Sequence, residues 1–363
     1  MVLAGVACAP GPAPDSEQAE MRQGSGTRSA VRSRPVPPIP VAPSDFSAER
    51  AWANLESIVA LGPRPADGPA AAAARIYLTN RLVASGLQIE EIELDLEPPA
   101  GSDRRRRVAS LLARLDGRSK DWLLVAAPYT SPEREGAALP GANEGGSGAA
   151  IILELARALA EGDRAYSYLF AFVAGDGVDN DPVAGSRELA RELVRRGLLE
   201  SARAGLFLDR VGDAELLLAR DLHSSGPYRA IVWQSARDQG YASVFATDGF
   251  DAPEGGHRAL SEAGFRQIVA LIDSGHDRDT LSGWRARRQV DDLAHCAPES
   301  LGIVGTVALD ALRTIETRLE QIDRYSSAPA DAAVSSENDL EPASSGAPGV
   351  GLAPASAGTG GSQ

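Results

Sequence analysis

The chain has 363 residues, 43% of them hydrophobic, with 50 acidic against 36 basic side chains and a net charge of −14. That acid excess repels phosphate and excludes nucleic acid as the main partner. Two cysteines, Cys8 and Cys296, cannot make a disulfide framework, four histidines cannot build a rich imidazole cluster, and no apolar run reaches the roughly 18 residues that a membrane helix needs.

The opening "MVLAGVAC" is short, apolar and followed by a polar linker. It reads as the end of a bacterial lipoprotein signal with Cys8 as the lipidated residue, which implies a membrane tether and a place in the cell envelope or periplasm. Residues 1–45 are rich in Pro, Ala, Ser and Gly, with "APGPAP" and "RPVPPIPVAP", and residues 326–363 end in "GAPGVGLAPASAGTGGSQ". Neither segment has a periodic apolar face, and both are expected to be disordered. Residues 46–325 remain as one domain, long enough to bury a sizeable core.

Within that domain, Trp52, Leu55, Ile58 and Val59 have helical spacing. A second helix is expected from Asp67 as N-cap and Pro69 near its first position to Gly86 as C-cap. "IEEIELDL" alternates at Ile92, Leu94 and Leu96, as a half-buried strand does. Before the next strand, Arg104–Arg107 reads as a solvated loop. "VASLLARL" and "WLLVAA" are short apolar runs fit for sheet, "GSGAAIILELARALAEG" a helix and "YSYLFAFVAG" a buried strand. "SRELARELVRRG" is an amphipathic helix closed by Gly197. "AGLFLD", "AELLLA" and "FRQIVALID" read as strands, "YRAIVWQSARDQG" as a helix, and the segment from Pro298 to Asp323 as a long C-terminal helix. This alternation predicts an α/β fold, a three-layer α/β/α sandwich around a central, mostly parallel mixed sheet.

Ligands of such sheets bind at the carboxyl ends of the strands. Three acids follow neighbouring strands there: Glu144, Asp176 and Asp209. Converging carboxylates serve a cation, or a general base beside one. Each also has a plainer reading. Glu144 can cap the following helix, Asp176 can be a turn acid, and Asp209 can hold neighbouring loops. "GDGVDNDP" offers Asp176, Asp179, Asn180 and Asp181 as oxygen ligands but lacks the EF-hand spacing, so a solvated loop is expected. "GGSGA" around Ser147 superficially suggests a nucleophile elbow, but no strand directly precedes it; its glycines read as allowing tight helix–sheet packing. His257 and His295 read as surface or loop histidines, and Cys296 as a free core thiol.

"LGPRPADGP" (61–69), "PGANEGGSGAAIILELARALA" (140–160), "YLFAFVAGDG" (168–177), "AGSRELA" (184–190), "LFLDRVGD" (206–213) and "PESLGIVG" (298–305) occur in this order. Together they resemble the zinc-dependent aminopeptidases and glutaminyl cyclases, with "LGPR" and "LDRVGD" leaning towards the bacterial glutaminyl cyclase-like branch. The resemblance spans about 46–325 and implies the zinc exopeptidase fold. It also implies where metal chemistry should sit. The family's first histidine and the aspartate two residues later fall on Pro128 and Thr130. Its bridging aspartate falls on Glu144, its catalytic glutamate on Asp176 and the metal-binding glutamate beside it on Gly177. Asp209 is kept. The Asp-Asp-His stretch reads Gly255-Gly256-His257, and the last histidine falls on Arg285 or Arg287.

A catalytic zinc takes about three protein ligands and an open water position. Glycine has no side-chain donor, and a guanidinium only donates. An arginine in the last ligand position is expected to pair with Glu144, Asp176 or Asp209 in the ion's place. The first reading is therefore a catalytically dead or impaired homologue with no cofactor. It would bind a peptide or protein ligand in the inherited cleft at the cell envelope. The alternative is an active aminopeptidase or glutaminyl cyclase, with Asp176 as base and Glu144 and Asp209 holding zinc in a rearranged shell.

Overall fold

The structure, a computed structural model, describes residues 46–98, 103, 105–133, 138–179, 181–250, 255–273 and 290–327. Cys8, Arg285 and Arg287 lie outside the described residues. Among these residues no helix is long and apolar enough to cross a membrane.

A six-stranded sheet forms the centre. Its strands are β1 (Gln88–Leu96), β2 (Arg106–Leu115), β3 (Trp122–Pro128), β4 (Ser167–Val173), β5 (Ala202–Asp209) and β8 (Ile268–Ile272), in the spatial order β1-β2-β4-β3-β5-β8. The last four in that order run parallel, while β2 is antiparallel to both its neighbours. β3 and β4 are buried at every position, which is why they read as unbroken apolar runs: a parallel strand covered on both faces has no wet side. The edge strand β1 buries Ile92, Leu94 and Leu96 and exposes the acids between them.

Helices α1 (Ala48–Val59), α2 (Pro69–Ala84), α3 (Gly148–Ala160), α4 (Ala184–Arg195), α5 (Gly226–Asp238), α6 (Gly256–Glu262) and α7 (Pro298–Ser327) complete the fold. From β3 the chain crosses through α3 to β4 on one side. From β4 it crosses back through α4 to β5 on the other. Parallel crossovers are right-handed, so two crossovers of opposite direction put α3 and α4 on opposite faces. α1, α3 and α7 pack against one another, and α4 packs on α6. The expected α/β sandwich with a mostly parallel centre is the observed fold.

Several local expectations are corrected. Gly68, not Asp67, is the N-cap of α2. Asp67 is instead held by Arg106, whose Nη2 lies 2.6 Å from its Oδ1. Arg106 is no solvated loop residue: it opens β2, is 4% exposed at its side chain, and also pairs with Glu133 at 2.5 Å. The buried guanidinium is compensated by both carboxylates, which themselves reach solvent. The strand expected over 214–219 forms later, as β6 (Leu218–Asp221), because the Asp213 carboxylate accepts from the Glu215 amide and sets a turn first. β6 pairs in parallel with β7 (Phe245–Phe250), a strand whose sequence has no alternating pattern. α7 runs to Ser327, two residues into the segment expected to be tail.

The "GGSGA" glycines do what close packing requires. A Cβ on Gly148 would sit 2.5 Å from the Leu208 carbonyl oxygen and 2.8 Å from Ala127 Cβ, so α3 begins directly on the ends of β3 and β5. Gly148→Ala must push the helix off the sheet. It is expected to cost about 1–3 kcal/mol, read as a lower urea midpoint with an unchanged m-value.

Candidate functional site

At the carboxyl edge of the parallel strands lies an open cleft lined by Pro128, Thr130, Pro132, Glu144, Asp176, Pro182, Asp209, Arg210, Gly255 and Gly256. It brings Glu144, Asp176 and Asp209 to one wall. β3 ends at Pro128 with Thr130 two residues on, the turn Asn143–Ser147 delivers Glu144, Asp176 follows three residues after β4, and β5 ends at Asp209.

The turn that carries Glu144 is set by two buried charges. Arg64, of the "LGPR" segment, is fully buried and, among the described residues, hydrogen-bonds to no carboxylate. Its guanidinium donates to the carbonyls of Ile58, Gly62, Tyr129, Pro140, Gly141 and Gly145, the Pro140 and Gly141 contacts being 2.6 and 2.7 Å. Burial holds its pKa down to about 10. Gly145 has φ +86°, and a Cβ there would lie 2.0 Å from the Thr130 carbonyl oxygen. The second charge is Asp291, which accepts from the Asn143 amide at 2.6 Å and the Glu144 amide at 3.1 Å. Burial, with the nearby Glu144 charge, pushes its pKa up to about 6. No local pattern points to Asp291, because its partners lie 148 residues away in the chain.

Asp176 accepts from the Ser186 amide at 2.7 Å and the Ser186 hydroxyl at 2.6 Å, both in the first turn of α4. Burial pushes its pKa up to about 7 against those two hydrogen bonds, and the Asp209 and Asp181 charges add to the rise. Gly177 follows at φ +80°. Asp181 pairs with Arg187 at 2.7 Å, so the acids after β4 are engaged within the fold. Ser147 is fixed, its hydroxyl donating to the Asn143 carbonyl at 2.7 Å and accepting from the Val211 amide at 3.0 Å.

Asp209 meets Arg210, whose Nε lies 3.5 Å from its Oδ2, with both side chains about 15% exposed or less. Burial opposes the charge on Arg210, but Asp209, Glu144, Asp273 and Asp291 outweigh it and raise its pKa. Arg210 went unassigned in the sequence because nothing in "LDRVGD" says which way its side chain turns.

His257 is corrected: it is fully buried, with Nε2 3.3 Å from Asp221 Oδ2. Burial opposes the Asp221 charge, but His257 and Ser224 hold its pKa down to about 2. His295 is exposed, beside Asp292.

The described residues do not fit a zinc. Pro128 and Gly177 offer no side-chain donor, and the Thr130 hydroxyl accepts from the Gly175 amide. A guanidinium already lies among the acids, and a second cation there would be repelled. Among the described residues no group of three or more His, Cys, Asp or Glu side chains is arranged to hold a metal ion.

Residues 110–312 match the family model of Peptidase family M28. Among solved structures, the chain is similar to a glutaminyl cyclase from an Acidobacteriales bacterium, at 24% identity over 77% of this chain and 98% of that one, with a TM-score of 0.69. It is also similar to a Zn-dependent exopeptidase from Parabacteroides distasonis, at 22% identity over 75% and 98%, TM-score 0.65. A Porphyromonas gingivalis glutaminyl cyclase is similar at 22% identity over 74% and 98%, TM-score 0.65. At these identities the likeness to the solved structures is one of fold. No curated protein sequence matches the chain.

Two predictions follow from this geometry. Asp176 holds its proton more tightly folded than unfolded, so its burial costs stability as pH rises from about 4 to about 7, and the full cost stands above that. Asp176→Asn keeps the Ser186 amide bond through Oδ1 and meets the Ser186 hydroxyl by donating from Nδ2. It is expected to melt higher than wild type at pH 8, with the difference vanishing at pH 4; an equal difference at both pH values contradicts the buried-charge account. Arg64→Met removes a donor from six carbonyls and is expected to cost about 3–5 kcal/mol, with Arg64→Lys recovering little because three donors cannot serve six acceptors. Chemical denaturation measures both.

Proposed function

The chain belongs to Peptidase family M28, and from that premise we propose that it is a non-catalytic member whose cleft binds a peptide or protein segment. The observation that carries this reading is Gly177, at φ +80° directly after Asp176. The resemblance expects a metal-binding glutamate there, and glycine leaves no donor. Pro128 and Thr130 remove the first two ligands in the same way. What remains is a binding surface rather than a reaction centre. Pro128, Pro132 and Pro182 form stiff walls that lose little freedom on binding. Glu144 and Asp209 complement a free amino end or a basic side chain. The segment ahead of the domain, with Cys8 after "MVLAGVA", supports a tethered place at the cell envelope.

One observation favours the alternative of an active aminopeptidase or glutaminyl cyclase: Asp176 titrates at about 7, where a general base works best at neutral pH. The two readings separate cleanly. The full chain, with added zinc, is expected to release nothing from aminoacyl-anilides and to leave N-terminal glutaminyl peptides uncyclised. Chelator-sensitive turnover of either would overturn the binding reading. Fluorescence anisotropy with labelled peptides bearing a free amino end is expected to show binding that Glu144→Gln weakens about tenfold, the effect of losing roughly 1.4 kcal/mol from one charged contact.

A further inference from the structure

Five carboxylates crowd one edge of the sheet: Glu144, Asp176, Asp209, Asp273 and Asp291. In a site built for a metal, the ion would offset them. Here the chain supplies a positive charge of its own. We propose that Arg210 is a tethered cation that takes over the electrostatic and positioning role of a bound metal, so that the fold and its cleft are metal-independent. The inference rests on the reading that zinc does not occupy the cleft, and deepens it.

The backbone at Arg210 carries the argument first. β5 ends at Asp209. In an extended strand the next side chain would point to the opposite face, and Asp209 and Arg210 could not share a cleft. They do share it, because Arg210 adopts φ +53°, a left-handed conformation that branched or long side chains rarely take. Two hydrogen bonds hold the chain in this turn: the Val211 amide donates to the Ser147 hydroxyl, and the Gly212 amide donates to Asn143 Oδ1 at 2.8 Å. Both acceptors belong to the turn that carries Glu144. The strained residue is therefore fixed by the segment whose charge it answers.

Charge carries it second. Asp209, Glu144, Asp273 and Asp291 all act on the Arg210 guanidinium. They come from four separate places: the end of β5, the turn before α3, the residue after β8, and the segment that leads into α7. Asp291 in turn binds the Asn143 and Glu144 amides, and the Asp273 carboxylate accepts from the Leu217 amide at 3.2 Å. Acids from four chain segments thus act on one cation. Arg210 is a positioning residue, and it suits this work better than lysine would. Its charge is spread over a planar fork and survives burial.

The test uses the full chain and thermal melts. Arg210→Met keeps much of the length and removes the charge. It is expected to melt about 5 °C lower, and Glu144→Gln added to it is expected to recover at least half of that loss by relieving repulsion. A variant that had merely lost packing would gain nothing from Glu144→Gln, and that result overturns the proposal. Zinc chloride at about 0.1 mM, roughly 100 times a micromolar dissociation constant, or excess chelator is expected to leave the wild-type melt unchanged. Zinc is expected to raise the Arg210→Met melt. A wild-type melt that rises with zinc as much as the variant's overturns the inference. Should Arg210→Met fail to fold, Arg210→Lys decides. A folded lysine variant indifferent to zinc supports the tethered cation, and one stabilised by zinc refutes it. Failure here is distinct from failure of the binding reading, which turns on catalytic turnover and peptide binding by the wild-type chain alone.

Discussion

Negative charge collected at one sheet edge is the constraint on which the rest of this structure depends. Parallel strands deliver their ends together, and here β4 and β5 deliver Asp176 and Asp209 beside Glu144. Carboxylates this close cannot all stay ionised away from water without a compensating charge. The molecule uses two remedies. Arg210 supplies positive charge, and Asp176 and Asp291 hold their protons to about pH 7 and 6 respectively. Proton uptake and an internal guanidinium achieve together what a divalent ion would do alone.

A second arginine solves a different problem. Arg64 gathers carbonyl oxygens from α1, from the end of β3 and from the loop 140–145, with the Asp291 charge nearby. Those oxygens turn inward because the loop is tight, and its glycines allow it to be tight. Six acceptors around one guanidinium cost little, since each would otherwise need water that cannot enter. The loop is thereby shaped by bonds within the chain, from the Arg64 guanidinium on its carbonyls and the Asp291 carboxylate on its amides.

Much of the fold was legible in the sequence because burial writes itself into composition. β3 and β4 are buried throughout and read as apolar runs; β1 is half-buried and alternates. The three cleft acids were legible because sheet topology fixes where strand ends go. What could not be read depends on partners far apart in the chain. Asp67 has the look of a helix cap and is taken by Arg106. His257 sits in a glycine-rich stretch that suggests a loop, yet it is buried against Asp221. β7 forms by pairing with β6 rather than by its own pattern. Asp291 and Arg210 are ordinary surface residue types whose burial only the assembled edge creates.

Loss of the ligands and retention of the fold are therefore compatible for a physical reason. A metal site stabilises a fold outright when its ligands have no other partners. Here Asp176 is bonded to Ser186, Asp291 to two amides, and Thr130 to the Gly175 amide. Gly148 seats α3 on the strand ends by backbone contact alone. Each element at the cleft thus has an anchor that no ion provides. Glycine at 177 therefore leaves no side-chain donor beside Asp176 without removing a support, and the cleft keeps its walls.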